Sequence, residues 1–185
     1  MIKIFKTTDS GVLQISEFED NSWISMTNPT TEELFSVSST YKIAPDDLRA
    51  SLDEEERSRI EIEEYYSLIL VDIPTIEERN GKDWYGTIPL AIIICDKVIV
   101  TVCLEDSPVL TAFMDGRVRN FYTHMKTRFI FQILYRNATL YLNYLRIIDR
   151  RSDAIEQKLH EATKNRELIE LLELEKSLVF FTTSL

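Results

Sequence analysis

The stretch from Pro89 to Asp106, PLAIIICDKVIVTVCLED, constrains this chain more than any other. Leu90–Cys95 form an unbroken apolar run, Asp96-Lys97 interrupts it, and Val98–Leu104 form a second run with one polar residue, Thr101. Both runs are rich in Ile and Val, whose branched Cβ stiffens χ1 and suits a pleated strand. At about seven residues each they have the length of strands and are short for helices. Two such runs around a brief polar break predict a hairpin. Neither run alternates apolar with polar, so both faces of both strands must be covered. Helices on either side of the sheet meet that demand, which makes the chain a layered α/β domain.

The 185 residues suffice for one domain, or one domain with an appendage. The formal net charge of −10 disfavours nucleic acid and anionic membrane surfaces as partners and is compatible with cations. The sequence contains no signal peptide, and no window holds the roughly 20 apolar residues of a membrane span. Phe129–Ile148 comes closest, but Arg136, Asn137, Asn143 and Arg146 interrupt it. Cys95 and Cys103 fall on the two buried strands and are expected to be reduced, inert hydrophobes.

Strands are predicted at Ile2–Phe5, Val12–Phe18 and Trp23–Met26. Thr30 and Glu33 have capping-box spacing for a helix running to about Ser39. Pro45, Asp46 and Asp47 suit the first turn of a second, short helix. From Asp46 to Glu64 there are nine acids against Arg49, Arg57 and Arg59, a charge run suited to a solvated face. Ile60–Glu63 alternates like a half-exposed strand. Tyr66–Ile73 is a further strand that Pro74 is expected to close, with Glu77–Lys82 as a polar turn. Pro108–Gly116 reads as a short helix. From Lys126 onward the pattern is helical. Tyr141, Leu145, Ile148, Ser152, Ile155, Leu159 and Ala162 form a seam, as do Leu168, Leu171, Glu175, Leu178, Thr182 and Leu185, with a break at Thr163–Asn165. The expected organisation is a sheet domain over 1–125 and a long antiparallel helical hairpin over 126–185. The acidic strand region and the basic helix Arg117–Arg151 are candidates to pair, within one domain or across subunits.

Enzyme motifs are absent. The four glycines are scattered, so no phosphate loop exists. His124 and His160 are far apart and lack a ligand-spaced partner. No serine lies in a nucleophile elbow. The adjacent carboxylates Asp53–Glu56 lack the unequal environments of an acid/base pair. The chain is not expected to be an enzyme.

The order of elements resembles the cytoplasmic domain of the CorA family of divalent-cation transporters. The residues that carry the resemblance are Trp23-Ile24, the capped helix at Thr30–Ser39 and Ile43–Leu48. They continue with Arg57-Ser58-Arg59-Ile60-Glu61, Tyr66–Val71, and Ile92–Ile94 with Lys97–Val102. Ala44 stands where the family has a histidine before its proline, and Arg57-Ser58-Arg59 where it has Arg-Pro-Lys. The Gly-Met-Asn signature and both membrane helices are missing. The apolar pattern runs uncapped to Leu185, so a fragment is expected rather than a naturally short relative.

The resemblance implies a mixed β-sheet between helices (α/β/α), followed by the helical hairpin leading toward a stalk. It implies magnesium or cobalt transport by a homopentamer, with this chain at the cytoplasmic face as a regulatory, cation-sensing domain that touches the membrane only through segments it lacks. Without those segments the chain is expected to be a monomer or weak oligomer. The family places a regulatory carboxylate just past the Tyr66 strand, which here is Glu77, with Glu78 beside it. These two would bind Mg²⁺ or another divalent cation weakly, through hard oxygen ligands. The rival reading is a stand-alone soluble adaptor that docks partners through its helical hairpin.

Overall fold

The computed structural model describes residues 1–79, 81–161 and 165–184, the side chains of 158–161 and 165–166 excepted. Its centre is the predicted hairpin. Strand β6 (Lys82–Cys95) pairs antiparallel with β7 (Ile99–Cys103), from Leu90 opposite Cys103 to Ile94 opposite Ile99. Every residue of β7 is buried. β7 pairs in parallel with β3 (Trp23–Thr27), which pairs antiparallel with β1 (Ile2–Thr8), and β1 with β2 (Gly11–Ile15). On the other side β6 neighbours β5 (Tyr66–Arg79), and β5 pairs antiparallel with the edge strand β4 (Arg59–Ile62). The result is one mixed, seven-stranded sheet in the order β2-β1-β3-β7-β6-β5-β4.

The chain forms two compact units, one of residues 1–73 and 88–135, the other of 74–87 and 136–185. In the first unit, helices α1 (Thr31–Tyr41) and α2 (Pro45–Ala50) cover one face of the sheet. Leu34, Val37, Ile43 and Leu48 pack there against Ile24, Met26, Leu68, Leu70, Ala91, Ile93, Val100 and Val102. The capping box forms as its spacing predicts. Thr30 Oγ1 accepts from the Glu33 amide at 3.2 Å, and Glu33 Oε2 accepts from the Thr30 amide at 2.8 Å. Glu33 also accepts from the Ile2 amide at 3.1 Å, so one carboxylate fixes the helix start and ties it to β1. Tyr66 anchors α2: its hydroxyl donates to Asp47 at 2.5 Å and accepts from the Ala44 amide at 3.2 Å. Burial, then the bond to Asp47, pushes this phenol up to about 12.

The opposite face is aromatic. Trp23 is fully buried, and Phe5, Phe113, Phe121 and Phe129 lie with ring centroids 5.1–6.3 Å from it. Phe113 comes from α3 (Pro108–Met114), capped by Ser107, and Phe129 from α4 (Lys126–Glu161). The indole N–H donates to Thr101 Oγ1 at 2.9 Å, which satisfies it in a place water does not reach. Thr7 and Thr123 exchange backbone-to-hydroxyl bonds at 2.9 and 3.2 Å. Lys126 Nζ donates to the carbonyls of Cys95 and Asp96, so the first residue of α4 holds the turn of the central hairpin.

Two sequence expectations need correction here. Pro74 does not close its strand, and Glu77–Lys82 is not a turn as a whole. β5 continues through Pro74 to Arg79, and β6 already begins at Lys82. The physical reason lies in the neighbours. β4 ends its pairing at Leu70, and β7 ends its pairing with β6 at Leu90, one residue from Pro89. Each proline therefore sits where its strand has an unpaired edge, and a missing N–H breaks no ladder there. β4 is the alternating, half-exposed strand expected, with Arg59 and Glu61 half-buried and Ile60 and Ile62 exposed.

In the second unit the arm 74–87 lies with α4 from Arg136 and with α5 (Asn165–Ser184). Tyr85, Tyr141, Ile148, Ile155, Leu174 and Phe181 form its core. Tyr141 stacks edge-on against Phe181 at 5.1 Å, near the far end of α5 in sequence, so the two helices run antiparallel. The α4 seam is the predicted one over Tyr141–Ile155. On α5 it is shifted: Leu171, Leu174, Ser177 and Phe181 turn inward, while Leu168, Glu175, Leu178 and Thr182 are exposed. The observed face buries Phe181, and the Ser177 hydroxyl is satisfied by the Glu173 carbonyl at 3.3 Å. Ala162, Thr163, Lys164 and Leu185 and the Leu159 and His160 side chains lie outside the described residues.

Thr101→Val should cost about 1–3 kcal/mol, because it leaves the Trp23 N–H buried and unsatisfied; denaturant unfolding followed by Trp23 fluorescence reads this. Cys95 and Cys103 are free and buried, and burial pushes both thiols up to about 11. At neutral pH both should resist a thiol reagent in the native state and react once unfolded.

Candidate functional site

Glu77 and Glu78 lie in the outer part of β5, within the second unit. Consecutive strand residues point to opposite faces, so these two carboxylates diverge and cannot chelate one ion from the same side. The i,i+2 neighbour of Glu77 on its own face is Arg79. Its Nε donates to Glu77 Oε2 at 2.8 Å, and Nη2 stands 2.7 Å from the same oxygen. The guanidinium also lies 4.8 Å from the Trp84 ring centroid, between the carboxylate and an aromatic face. The Glu77 side chain is half exposed, so water and ions reach it. Glu78 is exposed as well.

Next to this ladder the same unit holds a cavity of about 550 Å³. The arm contributes Arg79, Lys82, Asp83 and Trp84 to it, α4 contributes Arg151 and Ile155, and α5 contributes Glu170, Glu173 and Leu174. Its lining is part apolar and part charged, with both signs of charge. Lys82 donates to Glu170, and Arg151 donates to Asp83 at 2.5 Å. Arg151 also lies 5.6 Å from the Tyr85 ring centroid. Burial pushes the Tyr85 hydroxyl up, and the adjacent Arg151 charge works against it. Sequence reasoning did not find this cluster. Lys82 and Glu170 are 88 residues apart, and only the fold brings them together.

Glu77, Asp83 and Glu170 each already hold an arginine or lysine, so a divalent cation on any of these carboxylates would compete with that side chain. Among the described residues no group of three or more His, Cys, Asp and Glu is arranged to hold a metal. The acidic stretch of the first unit pairs locally, Arg59 with Glu56 and with Glu61, both at 2.6 Å. Asp53, Glu54 and Glu55 are exposed. His124 is exposed beside Tyr122, at 5.6 Å between ring centroids. No helix among the described residues is long and apolar enough to cross a membrane.

Because the Glu77–Arg79 pair is exposed, Glu77→Gln should change stability by less than about 1 kcal/mol; thermal unfolding without added divalent ions checks this.

Comparison with known proteins assigns the chain. The curated cobalt/magnesium transport protein CorA of Methanocaldococcus jannaschii is 30% identical over 172 residues, which cover 88% of this chain and 51% of the relative. The chain thus spans about half the length of the curated relative it matches. The complete structure of the CorA magnesium transporter from the same organism superposes with a TM-score of 0.84 at 22% identity, over 100% of this chain and 59% of that one. The structure of its soluble domain gives 0.84 at 23%, over 100% and 74%. The cytoplasmic domain of ZntB from Vibrio parahaemolyticus RIMD 2210633 gives 0.70 at 9%, over 98% and 72%, a likeness of fold. The family model described as CorA-like Mg2+ transporter protein matches residues 18–185, and the chain belongs to that family.

Proposed function

We propose that this chain is the cytoplasmic regulatory domain of a divalent-cation transporter, sensing magnesium or cobalt and coupling to a pore that its 185 residues do not contain. The observation that carries the reading is the family match over residues 18–185, together with a curated relative named as a cobalt/magnesium transport protein, of which the match covers 51%. The net charge of −10 favours cations near the surface. Oxygen ligands suit magnesium, and Glu77 and Glu78 supply them on a solvent-open strand. In this reading Arg79 is the competitor. Its guanidinium holds Glu77 when the ion is absent and must leave when it arrives, so binding is weak and freely reversible. The remaining ligands come from the rest of the transporter, within a homo-oligomer at the cytoplasmic face of the membrane.

A site offering one or two carboxylates belongs at the weak end of the scale, with Kd near 10⁻³ M, roughly, or above. At tenfold excess over Kd the linkage gain is about 1.4 kcal/mol. For a chain of this size that is a rise in melting temperature of about 3–6 °C. Magnesium should therefore raise the melting temperature, and the rise should shrink when Glu77 and Glu78 both become Gln. Arg79→Ala should enlarge it by removing the competing cation. Equal shifts in the parent and the double variant would move the ion elsewhere, to the acids of the 550 Å³ cavity or to Asp53–Glu56.

A further inference from the structure

We infer that the cavity of the second unit is a binding site for a linear polyamine, an alkyl chain with an ammonium group at each end. The inference stands on the donors and acceptors of the cavity itself and does not rest on the ion-sensing reading. At about 550 Å³ the space falls within the range of small-molecule sites. Its lining has two characters. Ile155 and Leu174, 8% and 9% exposed, give it an apolar part, which Ala154 and the Trp84 ring extend. The charged part consists of three carboxylates, Asp83, Glu170 and Glu173, and three cations, Arg79, Lys82 and Arg151.

The hydrogen bonds already made decide the sign of the ligand. All three cations are engaged: Arg79 with Glu77, Lys82 with Glu170 and Arg151 with Asp83. Ser177 also lines the cavity and is 2% exposed. Its hydroxyl proton goes to the Glu173 carbonyl at 3.3 Å, so its oxygen has only acceptor capacity left. The Glu173 carboxylate, one turn before Ser177 on the same helix face, is half-buried and has no ion pair among the described residues. The lining thus has acceptors to offer, and its occupant must donate. A bare metal ion is poorly served. Among the described residues no group of three or more His, Cys, Asp and Glu is arranged to hold one, and it would leave the apolar lining unused. An alkylammonium matches both characters. Glu173 and Ser177 take one ammonium, and the hydrocarbon lies along Ile155 and Leu174. The Trp84 ring adds a face that attracts cations, as the Arg79 guanidinium 4.8 Å from its centroid shows. The second ammonium meets Asp83 on the arm or Glu170 one turn back on α5. Both are partly open to water, and a carboxylate can accept from a second donor without losing its first.

The test titrates spermidine calorimetrically into the 185-residue chain at low, fixed ionic strength. Spermidine should bind at a single site. Glu173→Gln keeps the size of the side chain and removes its charge, and it should weaken binding about tenfold. Ala154→Trp, at an exposed position of α4, should fill the cavity and abolish binding, which keeps the test decisive should the first variant fail to fold. Hexylamine, with a single ammonium, should bind about tenfold more weakly than spermidine. The Glu77→Gln/Glu78→Gln variant should bind spermidine as the parent does. No binding at millimolar spermidine overturns the inference. So does binding that survives unchanged in Glu173→Gln and Ala154→Trp, or a signal that sodium chloride of equal ionic strength reproduces. Hexylamine binding as tightly as spermidine overturns the polyamine as the ligand class. None of these outcomes bears on the magnesium-dependent melting shift, so the two readings can fail separately.

Discussion

The architecture rests on the double burial of β7 and of the Ile88–Cys95 half of β6. Strands that expose neither face to water cannot form the wall of a two-layer fold, so something apolar must lie on each side. The chain answers differently on the two faces. Toward α1 and α2 the filling is aliphatic, with Leu34, Val37, Ile43 and Leu48 on branched strand residues. Toward α3 and α4 it is aromatic and organised around Trp23, whose N–H finds its acceptor on the central strand itself. An aromatic layer with one polar contact specifies a single arrangement more firmly than interchangeable aliphatic side chains do. The start of α4 is fixed to the same hairpin through Lys126.

The charged groups of the second unit follow another logic. Glu77, Asp83 and Glu170 each accept from a cation on a neighbouring element or residue, and each pair is at least partly open to water. Such pairs add little to stability because solvent screens them. They are also easy to exchange, since the displaced lysine or arginine can return to water. A weak hard-cation site built by exchange gives reversibility that a preformed cage of carboxylates would not. In the proposed reading, those pairs are the terms on which an ion would bind.

Much of the fold was legible in the sequence because its signals are local. The double apolar run, the Thr30/Glu33 box and the Pro at the head of α2 and α3 each determine structure within a few residues. The failures occurred where distant neighbours decide. Pro74 looks like a stop, yet it is tolerated because β4 has already ended at Leu70. The helical pattern of α5 allowed two adjacent faces, and Tyr141, forty positions earlier, selected the one that buries Phe181. The alternation of Ile60–Glu63 gives a half-exposed strand but not which side is covered, and the register on β5 sends Arg59 and Glu61 inward. For the site, the resemblance supplied Glu77 and Glu78, but Arg79 as partner and Trp84 as platform appear only once the strand is seen to continue.

The placement of the two indoles gives the molecule a built-in pair of reporters. Trp23 is sealed in the first unit, and Trp84 lies half-buried in the second under the Arg79 guanidinium. Their emission should separate into a blue component that a soluble quencher cannot reach and a redder one that it can. The second sits within one side chain of Glu77, so an ion that pulls Arg79 off its carboxylate also changes the cation above that ring. Each half of the chain thus carries its own optical signal, and replacing either tryptophan with phenylalanine would leave a single-channel probe of the other.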